Sequence, residues 1–186
     1  MKSFTTLVLA AAAATGVMSA AVKPVVQQRN AGGFKLASSV VNSAANEPFQ
    51  NTEVHTLSAG PDGLLARQEP DPNRNETNPD VIFLLQCTDP GFRGDCLVFG
   101  APPGLCVSFF NFNAPNTTTI SDRFNDQVSS LSTNTGGKCQ FYKYQGCNNK
   151  GDDRGLTSSY NYNLAVPLPD DERTVEYENQ ITSWRC

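Results

Sequence analysis

The last hundred residues of the chain repeat themselves. Cys87-x4-Phe92-x-Gly94-x-Cys96 in the first half is matched by Cys139-x4-Tyr144-x-Gly146-Cys147 in the second. Downstream, Phe124-Asn125-Asp126-Gln127-Val128-Ser129-Ser130-Leu131 is matched by Tyr177-Glu178-Asn179-Gln180-Ile181-Thr182-Ser183-Trp184. The aromatic-x-Gly corner precedes the polar motif by 33 residues in one half and 34 in the other. Two landmarks that recur with nearly the same gap mark a duplicated supersecondary unit rather than a chance match.

Between these landmarks the chain reads as all-β. Val81 to Gln86 is a compact run of strand formers, Asp89-Pro90-Gly91 is a turn, and Asp95 to Phe99 resumes the strand pattern. Ala101-Pro102-Pro103-Gly104 then breaks the chain before Leu105 to Phe110. Four more strands are expected, over Gln140 to Tyr144, Tyr160 to Val166, Thr174 to Tyr177 and Ile181 to Trp184. No helical period persists beyond about two turns. Short strands separated by Gly, Asn, Asp and Pro clusters favour a sandwich or a small barrel.

All six cysteines, Cys87, Cys96, Cys106, Cys139, Cys147 and Cys186, fall in this region. They form no CxxC pair and no histidine accompanies them, so three disulfides in an oxidising compartment are expected rather than zinc. Six cysteines permit fifteen pairings, and spacing alone does not choose one. Export is also expected from the N-terminus. Met1-Lys2 precedes an apolar, alanine-rich stretch and the small residues Ser19, Ala20 and Ala21, the pattern of a signal peptide over residues 1–21. Two sequons, at Asn75 and Asn116, suit a secreted, glycosylated chain.

Residues 22–80 lack cysteine, tryptophan and tyrosine and carry only scattered apolar side chains. Such a composition predicts a disordered segment, because too little surface is available to offset ordering entropy. A cut after Arg67 would make 22–67 a pro-segment and leave 68–80 as a flexible linker to the domain at 81–186. The single histidine, His55, lies in this segment and is expected outside the core, which removes histidine-based catalysis and His-ligated metal together.

The two motifs of residues 81–186 resemble those of the βγ-crystallin-like Greek-key domains, in particular small secreted fungal members. The resemblance implies two Greek-key motifs forming one disulfide-stapled sandwich. Phe92-x-Gly94 and Tyr144-x-Gly146 match the family's folded hairpin, with Cys87 and Cys139 replacing its first aromatic. Asn125 to Ser130 matches the family's calcium signature, two Asn/Asp, two variable residues, Ser/Thr and Ser. Glu178 to Ser183 departs from it at Glu178. The resemblance implies paired calcium sites that share ligands. One would use the Gln127 carbonyl, the Ser129 hydroxyl and the Asn179 side chain. The other would use the Gln180 carbonyl, the Thr182 hydroxyl and the Asp126 side chain. Calcium takes six to eight hard oxygens, and so few charged ligands imply weak extracellular affinity, roughly 10⁻⁵ to 10⁻³ M. Only the second set holds a carboxylate, so it is expected to bind more tightly. The same Asn, Asp and Ser residues also suit a metal-free turn. The repeat-equivalent corners lead us to expect Cys87–Cys96 and Cys139–Cys147, with Cys106–Cys186 tying the halves.

Other motifs carry less. Arg93-Gly94-Asp95 spells an adhesion tripeptide, but a hairpin corner that needs positive φ already accounts for Gly94. Asp152-Asp153 and Asp170-Asp171-Glu172 are paired carboxylates of the kind used in glycoside hydrolysis, yet they stand in predicted loops where solvated charge is the ordinary role. No nucleophile elbow, phosphate loop or catalytic histidine supports an enzyme. Tyr142, Tyr144, Tyr160, Tyr162 and Tyr177, with Phe109, Phe110 and Phe112, are either a sugar- or membrane-binding face or core residues. Fourteen basic against eighteen acidic side chains argue against nucleic acid and against stable membrane insertion. Two functions are expected from these features. One is a secreted, non-enzymatic calcium-binding protein acting as an extracellular effector or toxin-type protein. The other is a metal-free cell-wall or carbohydrate-binding module, with a polysaccharide or host surface as target.

Overall fold

The computed structural model describes residues 26–29, 34–57, 81–148, 151 and 153–186. The expected signal peptide 1–21, the cut after Arg67, the linker 68–80, Asn75 and Asp152 lie outside the described residues. The segment that precedes the domain forms an arm, which contributes β1 (Val26–Arg29), α1 (Ser38–Val41), α2 (Asn46–Asn51) and β2 (Val54–Leu57). The first half of the repeat supplies β3 (Ile82–Asp89), β4 (Arg93–Ala101), β5 (Cys106–Ser108), α3 (Thr119–Phe124) and β6 (Ser130–Thr133). The second half supplies β7 (Cys139–Tyr142), β8 (Leu156–Ser158), β9 (Tyr160–Asn161) and β10 (Ser183–Arg185).

The strands form two sheets, ordered β1-β2-β4-β3-β6-β9 and β5-β10-β7-β8. Each half therefore lends one strand to the sheet of the other: β5 pairs with β10, and β9 pairs with β6. The main core lies between the sheets. Leu84, Leu97, Phe99 and Leu131 meet Val107, Phe141, Leu156 and Trp184 there, with Phe109, Phe112 and Phe124 from the connections. The Phe99 ring sits 5.4 Å from Trp184, and 4.9 to 5.6 Å from the rings of Phe109, Phe112 and Phe124. This aromatic knot joins the two halves and positions the turns that lead into β6 and β10.

Five expected strands are shorter or different; two change only at an end, Gln140 to Tyr144 stopping at Tyr142 and Ile181 to Trp184 beginning at Ser183. Thr174 to Tyr177 lies in a 3-10 turn, Glu172–Tyr177, because its buried residues Thr174 and Tyr177 are three apart, the 3-10 period. Asp171 caps that turn by accepting from the Arg173 N–H at 3.1 Å. Leu105 to Phe110 is a strand only to Ser108, after which Phe109–Phe112 forms a 3-10 turn with Asn111 capping the Ser108 N–H. Tyr160 to Val166 stops as a strand at Asn161, since Asn161 and Asn163 accept from the N–H groups two residues on and curl the chain.

The arm departs from expectation over residues 34–57. It is ordered, and β2 runs parallel to β4 as an added strand, with His55 opposite Phe99. Val40, Ala45, Phe49 and Val54 pack on Leu85, Cys87, Phe92 and Val98, which form the outer face of the β3–β4 pair. His55 is buried rather than outside the core, at 8% exposure. The physical reason is that the sheet offers the arm an apolar surface, which the arm lacks on its own.

The disulfides are Cys87–Cys96, Cys106–Cys147 and Cys139–Cys186. The first was expected; the other two replace Cys139–Cys147 and Cys106–Cys186. Strand register is the cause. Gln140 stands opposite Arg185 in the antiparallel β7–β10 pair, which brings Cys139 against Cys186 with Cα atoms 4.1 Å apart. Cys147 is left for Cys106, a bond that joins the halves.

Candidate functional site

Each polar motif is a turn that leads into an inner strand of a sheet. Ser130 begins β6, and its hydroxyl donates to the Asp89 carbonyl at 2.8 Å and accepts from the Phe92 N–H at 3.1 Å. Ser183 begins β10 and makes the equivalent pair, donating to the Tyr144 carbonyl and accepting from the Cys147 N–H at 3.0 Å. These serines lock two hairpins of the same shape. Gly91 and Phe92 take positive φ, 78° and 57°, as do Gly146 and Cys147, 78° and 49°. Gly91, not Gly94, is thus the counterpart of Gly146, although Gly94 also has φ 71°. Cys87 corresponds to Tyr142, since each stands opposite the motif serine of its sheet. The repeat read from the cysteines was out of step by three residues.

The turns themselves are related by the same symmetry. Asp126 and Asn179 occupy the left-handed region, with φ 57° and 53°. The Asp126 N–H donates to the Ile181 carbonyl at 3.2 Å, and the Asn179 N–H donates to the Val128 carbonyl at 3.1 Å. Val128 and Ile181 are fully buried and anchor both turns in the core. Gln127 and Gln180 follow at equivalent exposed positions, their N–H groups closing the turns on the Phe124 and Tyr177 carbonyls. The two motifs therefore face each other in reciprocal register, and side chains of one reach those of the other.

Two oxygen clusters result. The Thr182 hydroxyl donates to Asp126 Oδ1 at 3.1 Å, and Asn125 Nδ2 donates to Asp126 Oδ2 at 2.8 Å. In the second cluster Ser129 Oγ lies 2.7 Å from Glu178 Oε1 and 3.3 Å from Asn179 Oδ1. The cross-motif pairs expected from sequence, Ser129 with Asn179 and Thr182 with Asp126, are brought together. The carboxylates are not confined to one cluster. Glu178, which breaks the motif in sequence, puts a carboxylate on Ser129, so each cluster holds one. Sequence reasoning missed this because a motif position says nothing about which copy a long side chain will reach.

Positions 125 and 178 share a further property. Asn125 Oδ1 and Glu178 Oε2 are buried atoms with no hydrogen-bond donor among the described residues. Buried oxygens of this kind are uncommon and suit a cation as well as a hydrogen bond. Among the described residues no group of three or more His, Cys, Asp or Glu side chains is placed to hold a metal ion. A cation here would draw on one carboxylate per cluster together with hydroxyl, amide and peptide oxygens, a hard donor set suited to calcium.

The remaining sequence candidates separate cleanly. Asn116 is exposed at a turn with φ 63°. Asp95 pairs with Arg123 at 3.1 Å. Phe109, Phe112, Tyr142 and Tyr177 are core residues, while Phe110, Tyr144, Tyr160 and Tyr162 are exposed. Asp153 is not a solvated loop charge; it is 3% exposed and accepts from the Tyr177 hydroxyl at 2.6 Å. Among the described residues no helix is long and apolar enough to cross a membrane. Comparison with family models, curated proteins and solved structures returned no match to this chain.

Proposed function

We propose that this chain is a secreted, non-enzymatic protein with a βγ-crystallin-like Greek-key domain that binds calcium weakly at two clusters shared between its motifs. The observation that carries the reading is the reciprocal contact of the motifs, Asp126 with Thr182 and Ser129 with Asn179 and Glu178. The strand exchange between the sheets supports the Greek-key part of the reading, since each half completes the sheet of the other. Asp126, Thr182 and Asn125 would serve one ion, and Ser129, Asn179 and Glu178 the other, with the Gln180 and Gln127 carbonyls assigned by resemblance. The ion supplies a positive charge that the two buried, donorless oxygens lack. Its role is to hold the two halves together outside the cell, where calcium is plentiful and an effector or toxin-type protein would act.

Ligand that binds only the native state raises stability by mass action, about 2.7 kcal/mol per site at a hundredfold excess over Kd. The melting temperature should therefore rise with calcium up to about ten millimolar, beyond the weak extracellular range. Asp126→Ala should remove about half of that rise, and Glu178→Ala the other half, each judged against its own calcium-free melting curve. A melting temperature indifferent to calcium overturns the reading and leaves both motifs as structural turns.

A second reading is favoured by a separate observation. Tyr160 and Tyr162 are exposed and lean on Phe92, with ring centroids 5.3 and 5.9 Å away. Such a pair is a surface on which a sugar ring stacks. Binding of wall polysaccharide that is lost in Tyr160→Ala and unaffected by calcium would favour the carbohydrate-binding module.

A further inference from the structure

The arm is held differently from the rest of the fold. None of the three disulfides includes it, and residues 34–57 touch the domain only through non-covalent contacts. Three grips are visible. Strand β2 lies on the β4 edge, and the Val98 N–H donates to the Glu53 carbonyl at 3.0 Å. Phe49, Val40 and Val54 fill the apolar outer face over Leu85 and Val98. Asn134 clamps the start of the arm, its side-chain amide donating to the Lys35 carbonyl at 3.0 Å and its carbonyl accepting from the Ala37 N–H at 2.8 Å. Gly100 lets the arm come close, since a Cβ there would lie 3.0 Å from Thr56 Oγ1 and 2.8 Å from the Phe83 ring.

We propose that residues 34–57 are a separable ligand of the 82–186 domain, docked by strand addition at the β4 edge, and that the buried imidazole of His55 makes its grip acid-labile. This docking needs no calcium, and it holds whether or not the chain is cut between the two parts.

His55 sits in the centre of the docked strand, opposite Phe99 on β4 and opposite Gln28 on β1. Its Nε2 lies 3.3 Å from Glu53 Oε1, while its Nδ1 is buried and has no hydrogen-bond partner among the described residues. A neutral imidazole tolerates that position. An imidazolium adds a second N–H with no acceptor, in contact with an aromatic core. The charges that act on it are Glu53, which favours the proton, and Arg123 on α3, which opposes it. Arg29 on β1 stands one register step away, opposite Val54. Burial is the largest influence and pushes the imidazole below its usual value.

The docked state holds fewer protons at His55 than the released state, so docking is complete above the free value of about 6.5 and weakens as pH falls below it. Each unit of depression weakens docking about tenfold across that window. Release bares Phe83, Leu85 and Val98 together with the unpaired edge of β4, a surface that accepts an extended apolar strand.

The test uses the full chain with a protease site inserted between Arg67 and Gln68, nicked after folding. Gel filtration at about pH 7.5 and about pH 5 then reports whether the arm travels with the domain. Co-elution at neutral pH and separation in acid are expected. His55→Gln and His55→Leu should both keep the arm bound in acid. Because His55 is the only histidine in the chain, its imidazole proton resonance titrates alone, and its midpoint in the intact protein should lie below about 6.5. Loss of the arm at neutral pH overturns separable docking. Retention of the arm in acid, equal release from both variants, or a midpoint at or above the free value overturns the role of His55.

Discussion

Asp153 accepts three hydrogen bonds: from the Tyr177 hydroxyl at 2.6 Å, the Lys143 N–H at 2.8 Å and the Gly155 N–H at 3.1 Å. It ties the loop before β8 to the end of β7 and to the 3-10 turn that precedes the second motif. Hydrogen bonds to a charged group contribute about 1.5 to 3 kcal/mol, and leaving the partners unmade costs more. Tyr177→Phe should therefore destabilise by about 2 kcal/mol, and Asp153→Ala by more, as read from urea unfolding. Burial and then the Asp153 carboxylate hold the Tyr177 hydroxyl above its usual value. A raised value means the folded state keeps its proton longer, so this stability is complete below about pH 10 and is lost as pH rises further. Alkaline unfolding should be steeper in the native protein than in Tyr177→Phe. None of this was legible in the sequence, where Asp153 is the second of two adjacent loop carboxylates. Its partners lie 10 and 24 residues away, and only the closed fold brings them to it. Ser129, Thr182, Asp126 and Asn179 are an intermediate case: the turns they stand in are written locally, whereas their partners lie 50 and 56 residues away and were expected only through the family resemblance.

Strands β3 and β4 explain both what the sequence disclosed and what it hid. Their existence is plain from runs of strand formers bounded by Gly and Pro. Their surroundings are written there as well. Val81 to Leu85 and Leu97 to Phe99 are apolar without alternation, the mark of strands covered on both faces. Leu84 and Phe99 face the main core, whereas Leu85 and Val98 face outward and need a cover. Among the described residues only the arm supplies one, which is why a segment too polar to fold alone is ordered in contact. Phe49, 1% exposed, is its central anchor. Phe49→Ala should cost about 3 to 5 kcal/mol, and the loss should fall on the arm. Hydrogen exchange would then report deprotection of β2 and of the β4 edge, with β6 and β10 still protected. Equal loss of protection in all four strands would mean that arm and domain fold as one unit. The three-residue slip in the repeat has a related origin. Cysteine spacing is set by which strands a disulfide joins, whereas the hairpins are fixed by the motif serines, so the cysteines were the wrong landmarks.

At the scale of the whole molecule, the halves close on each other inside a sheet. Strand β10 of the second half lies between β5 of the first and β7 of its own. Beyond its ladder bonds it is held twice. Cys139–Cys186 fastens it to β7, and the Gly104 N–H donates to the Cys186 carbonyl at 2.7 Å. Cys106–Cys147 then closes the exchange between the halves, joining residues 41 apart, whereas Cys87–Cys96 spans 9 residues within one hairpin. In the chain-entropy model the longer loop contributes about 4 kcal/mol and the shorter about 3 kcal/mol. The locations of the two bonds should separate them further. Replacing Cys87 and Cys96 together with serine loosens a hairpin that the Ser130 hydroxyl, the arm and the β3–β4 ladder still hold. Replacing Cys106 and Cys147 together removes the only described disulfide between the halves, leaving the short β5–β10 and β6–β9 ladders, the aromatic knot around Phe99 and the motif contacts to keep them joined. Against a typical domain stability of 5 to 15 kcal/mol, a loss of about 4 kcal/mol is a large fraction. Urea unfolding should show the lower midpoint for the Cys106 and Cys147 pair, with a larger slope, because the denatured chain becomes less compact. If the two double variants unfold at the same midpoint with the same slope, the bond between the halves constrains the chain no more than the hairpin bond does.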